Sequence, residues 1–94
     1  MAKAIIRRLE TLNLQLWREA IRFEKMHDLV DDLEIKCQDL EFKDDERFAE
    51  RTAAKLKACT ALRSLSWELA ELDAKAQELA YAIDAIVDDL GDTT

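Results

Sequence analysis

Between Ile5 and Leu40 the apolar residues fall at alternating steps of four and three: Ile5, Leu9, Leu12, Leu16, then Phe23, Met26, Val30, Leu33, Cys37 and Leu40. That is the a/d repeat of a helix burying one stripe along a partner helix. A half-buried strand would alternate every second residue, and no stretch of this chain does so. One position breaks the repeat, because Glu19 stands where a core residue belongs. Proline is absent and Gly91 is the only glycine, so nothing inside the sequence obliges a helix to stop.

The second half carries a matching repeat: Ala58, Leu62, Leu65, Leu69, Leu72, Ala76, Leu79, Ile83, Ile86 and Leu90. Between the two lies Lys43-Asp44-Asp45-Glu46, where Asp44 or Asp45 is placed to accept a hydrogen bond from a new helix's free amides. Folding the chain about Asp44 makes facing positions add to 88, so each a position meets a d position. Ile5 then faces Ile83, Leu9 faces Leu79, Leu16 faces Leu72 and Phe23 faces Leu65. The predicted fold is all-α, an antiparallel two-helix hairpin forming one domain over residues 1–94. Helix one spans about 3–42, the turn about 43–45 and helix two about 45–90, with Gly91 as its stop before a short acidic tail.

Charge supports folding back. Residues 1–27 carry six bases and three acids, whereas 76–94 carry five acids and no base. Asp31 and Asp32 likewise approach Lys55 and Lys57, although exposed pairs of this kind contribute only about 0.2–1 kcal/mol each. The rival architecture is one unbroken helix of roughly 130 Å. It gives the second seam no partner. A parallel coiled coil of helix one is disfavoured too, because only Lys36 and Glu41 would make a good flanking ion pair.

A two-helix hairpin should be polar on its outside, yet this one is not. Leu14, Trp17, Ile21, Ile35 and Phe42 line the far side of helix one, and Trp67 and Tyr81 that of helix two. This stripe would expose on the order of 600 Å² of apolar surface, enough to mark an interface. Two readings follow: a homodimer closed into a four-helix bundle, or a docking face for a different protein anchored by aromatic side chains. Both describe a non-enzymatic interaction module, an adaptor, assembly factor or inhibitor. Glu19, the polar exception, is expected to reach the seam's edge and pair with an arginine such as Arg18 or Arg22.

Other chemistry is thinner. A net charge of −7 opposes direct nucleic-acid binding. Ten acids against three bases in residues 28–50 make an acidic tip of Asp28, Asp31, Asp32, Asp39, Glu41, Asp44, Asp45 and Glu46. An alternative role is therefore a decoy-type inhibitor entering a partner's basic nucleic-acid-binding site. Glu24-x-x-His27 has di-metal spacing, and Asp28, Asp31 and Asp32 with Glu68 and Glu71 suggest a carboxylate-rich metal-dependent hydrolase or metal-binding bundle as another alternative. Each of those acids also reads as a solvated helix face, so no catalytic, metal or cofactor-binding residue is assigned. Cys37 and Cys59 lie too far apart in sequence for a disulfide framework or zinc site, and Cys37 reads as a small core residue. The longest apolar run, Leu79 to Ile83, is far short of the roughly 20 residues that span a membrane. The first residues also lack the apolar core of a signal peptide, so the expected location is cytoplasmic.

Overall fold

In the computed structural model, which describes residues 2–92, two long helices lie side by side: α1 (Ala2–Gln38) and α2 (Phe48–Asp92). They form an antiparallel hairpin, a rod with Cα extents of 74 × 14 × 13 Å. The chain turns back where expected, but the connection is longer. It spans residues 39–47 instead of 43–45, so α1 stops four residues short of Phe42. Asp45 is the acid that starts α2: its Oδ1 accepts the Arg47 amide at 2.9 Å, and its Oδ2 holds Arg51 at 3.3 Å. Gly91 lies inside α2 and does not end it. Met1, Thr93 and Thr94, the last two from the predicted tail, lie outside the described residues.

The longer connection shifts the register. Asn13 bonds Asp84, Asp31 bonds Ser66 and Glu34 bonds Arg63, and each pair adds to 97 where 88 was expected. The first turns of α2 consequently run past the end of α1. The segment after α1 lies back along them, with the Lys55 ammonium donating to the Leu40 carbonyl at 2.7 Å. Leu40, Phe42, Phe48, Thr52 and Lys55 line a shallow recess there. The ion pairs expected between Asp31 or Asp32 and Lys55 or Lys57 are replaced by others. Asp31 goes to Ser66, and Asp32 pairs with Lys36 at 2.8 Å.

Each helix keeps one predicted seam line and loses the other by a single residue. In α1 the line Leu9, Leu16, Phe23, Val30 and Cys37 faces α2 as expected. Its companion is Ile6, Asn13, Ala20, His27 and Glu34, in place of Ile5, Leu12, Glu19, Met26 and Leu33. In α2, Leu62, Leu69, Ala76, Ile83 and Leu90 hold their place, while Cys59, Ser66, Asp73, Ala80 and Val87 replace Ala58, Leu65, Leu72, Leu79 and Ile86. The cause is size. Ala20, Ala76 and Ala80 are 3%, 6% and 0% exposed, and small residues at these crossings let the two backbones approach closely.

The polar groups drawn in by this rotation find partners. Asn13 donates through Nδ2 to the Ala80 carbonyl at 2.7 Å and to Asp84 at 3.0 Å. Arg63 donates to Glu34 at 3.0 Å. The buried Ser66 hydroxyl donates to Asp31, whose other oxygen stands 3.5 Å from His27 Nδ1. Satisfied in this way, the groups avoid the desolvation cost that would otherwise eject them from the seam.

Candidate interaction surfaces

The displaced seam lines are the main consequence for function. Ile5, Leu12, Met26 and Leu33 of α1, with Leu65, Leu72, Leu79 and Ile86 of α2, are all 39–51% exposed. On each helix these residues stand four positions before the retained seam line, so they flank the seam on the same hand. In an antiparallel pair, flanks of the same hand meet. The eight side chains therefore form one apolar face running along the rod. We call it the leucine face. With the two seam lines already facing the partner helix, a further line of large apolar residues on each helix is more than a two-helix hairpin can cover, and this width is typical of helices in larger bundles.

The core left behind is small. Among the described residues no large side chain is fully buried, whereas seventeen large hydrophobic residues are exposed. A two-helix structure of this size has little interior to lose.

Glu19 lies within the leucine face and not in the seam. Its carboxylate, 47% exposed, accepts from Arg22 at 3.0 Å, one turn along the same helix. An isolated charge is thus paired at the surface and imposes no buried cost.

The aromatic stripe occupies the opposite flank, where the cross-helix bonds of Asn13, Asp31 and Glu34 also lie. Trp17 meets Tyr81 edge to face, with ring centroids 5.4 Å apart and planes at 88°. This contact is part of what holds the hairpin together, worth about 0.5–1.5 kcal/mol beyond area burial. Leu14, Ile21 and Ile35 are 50–57% exposed, and Trp67 is 69% exposed with its indole N–H donating to Glu71 at 2.9 Å. Charged residues of the middle section, Asp28, Asp31, Glu34 and Arg63, interrupt the stripe. Phe42 does not belong to it at all: it lies in the connection, half-buried beside Phe48.

The acidic tip is likewise divided. Asp39, Glu41, Asp44, Asp45 and Glu46 stand exposed in the connection, whereas Asp31 is engaged with Ser66 and His27, and Asp28 stands 3.6 Å from the same His27 nitrogen. Asp32 raises the pKa of Lys36 above its usual range, first by the hydrogen bond and then by charge. Among the described residues no three His, Cys, Asp or Glu side chains gather as a cation would require, the Glu24 and His27 pair included. No described helix is long and apolar enough to cross a membrane.

Comparison with protein-family models, curated proteins and solved structures finds no match. The surfaces themselves carry the functional argument. In the sequence the leucine face is indistinguishable from core, because its residues have the spacing of seam positions. The signal that could have revealed it is the small residues one position further on in each helix, Ala20 in α1 and Cys59, Ser66 and Ala80 in α2.

Proposed function

We propose that this chain is a non-enzymatic protein–protein interaction module of the cytoplasm that works as a homodimer, with two leucine faces closing a four-helix bundle. One observation supports the reading above all. Eight large apolar side chains are left half-exposed to nearly the same degree along the rod, as expected of a core cut in half. Together they offer on the order of 700 Å² per protomer, close to the roughly 800 Å² a standard interface takes from each partner. The stretch 28–50 carries ten acids against three bases, so repulsion between tips favours a dimer with its two connections at opposite ends. The outward aromatic stripe, above all Trp67, then stays available for a different protein, the surface through which an adaptor or assembly factor would act. Two free thiols suit a reducing compartment.

Sedimentation equilibrium tests this directly. Wild-type protein at about 50 µM should have the mass of a dimer, consistent with an interface of this size. A Trp17→Ala, Trp67→Ala variant should keep that mass, since neither residue lies on the leucine face. Monomeric wild type would overturn self-association, and a monomeric double variant would move the interface to the aromatic stripe.

Glu19 supplies a second measurement. Glu19→Leu removes the carboxylate on the leucine face and should tighten the dimer about tenfold or more, from added apolar area and relief of desolvation. Weakened association would instead assign Glu19 a productive contact across the interface.

A further inference from the structure

The two cysteines, 22 positions apart in sequence, come together in space. Cys37 of α1 and Cys59 of α2 both lie on seam lines and add to 96, one less than the hydrogen-bonded pairs that mark the register, so they face each other across the seam. Cys37 Sγ lies 3.8 Å from the carbonyl oxygen of Lys55, one turn before Cys59 on α2. Cys59 is 7% exposed and Cys37 half-buried, so the facing pair lies within the seam. A surface recess of about 330 Å³ opens beside them, lined by Gln38, Lys55, Cys59 and Arg63 among others. The pair lies toward the tip, beyond Leu33 and Leu65, so closing the leucine face leaves the recess open.

We propose that Cys37 and Cys59 form an oxidisable dithiol, which a small anionic disulfide such as glutathione disulfide converts into an intramolecular staple between α1 and α2. Lys55 on the recess wall, bonded to the neutral Leu40 carbonyl, keeps its positive charge and favours an anionic reagent over a neutral one, whereas the charge of Arg63 is paired with Glu34. Cys37 is the more exposed of the two sulfurs and makes the first attack, while its proximity, then burial, push the Cys59 thiol above its usual range. The Cys37 thiolate attacks one sulfur of the reagent, breaks its S–S bond and expels one glutathione thiolate. Cys59 then gives up its proton and attacks the Cys37 sulfur of the mixed disulfide, expelling the second glutathione. Two protein thiols are oxidised by two electrons, and one glutathione disulfide is reduced to two thiols. The staple closes the loop that contains the whole connection, and it ties α2 to the last turn of α1 where the overlap is shortest.

The inference depends on the hairpin register alone, so it stands or falls separately from dimerisation. The test is incubation of the full chain with glutathione disulfide at about pH 8, followed by intact mass, thiol labelling and thermal melting. Wild type should lose about 2 Da, lose both labelling sites, and melt at least ~8 °C higher, all reversed by dithiothreitol. Cys37→Ser and Cys59→Ser should each show no such rise, while circular dichroism confirms that both are helical. A wild type that keeps both thiols, retains a glutathione adduct or cross-links only between chains would overturn the proposal.

Discussion

Leu65→Lys combined with Leu72→Lys should convert a dimer into monomers that are still helical. Leu65 stands at the tip end of the leucine face and Leu72 two turns further in, 45% and 47% exposed in the hairpin. Each exposes on the order of 90 Å², so each is worth roughly 2 kcal/mol on burial. A homodimer counts every substitution twice, giving a loss of about 8 kcal/mol before the charges are considered. That corresponds to a dissociation constant weaker by more than ~10⁵. Four ammonium groups placed within an apolar interface add a desolvation cost. The hairpin should survive, because its own seam passes through Leu62, Ser66, Leu69 and Asp73 instead. Sedimentation gives the mass and circular dichroism the helix content. A double variant that still sediments as a dimer would show that the chains associate elsewhere.

The second large effect falls on the smallest core residue. Ala80→Leu should destabilise the hairpin by about 3 kcal/mol, lowering the melting temperature by roughly 12–24 °C at fixed protein concentration. Ala80 is 0% exposed, and its carbonyl accepts the Asn13 side-chain amide at 2.7 Å. Three more carbons at that crossing must push the helices apart. The separation breaks the Asn13 bond and strips Ala76 and Ile83 of contacts. In the register that adds to 88, Ala80 would lie beside the seam and a leucine there would cost little. A thermal melt therefore discriminates between the two registers, with an unchanged midpoint speaking against the observed one.

This contrast shows what could be read from the sequence. Two helices, their antiparallel return and an acid, Asp44 or Asp45, at the start of α2 follow from local rules: the repeat, the absence of breakers and helix-capping chemistry. One seam line in each helix followed as well, since Leu9, Leu16, Phe23 and Val30 have no better place to go. The other line did not, because a heptad count rewards size, and Leu12 or Leu72 outranks Asn13 or Asp73. Hydrogen bonds across the seam and the close approach allowed by alanine reversed that ranking, and neither is visible until the partner helix is in place. The same blindness hid the cysteine pair, which becomes neighbours only once the connection is nine residues long. Trp17 and Tyr81 were legible as outer residues but not as a contact, since their meeting depends on the shifted register.

The lengthened connection also determines the order in which the helices can zip together. Cross-helix contacts widen steadily in sequence separation, from 15 residues between Leu40 and Lys55 to 71 between Asn13 and Asp84. Closing the shortest loop first adds little entropic cost for each later contact, because that cost grows only logarithmically with loop length. Helix pairs built from such nested contacts fold rapidly. Here the first loop to close is stiffened by the strap of residues behind α1, and Lys55 is the side chain that fastens it. The tip is thus the natural nucleus of the hairpin, and the far end, where Ile6 meets Leu90, is the last part to form.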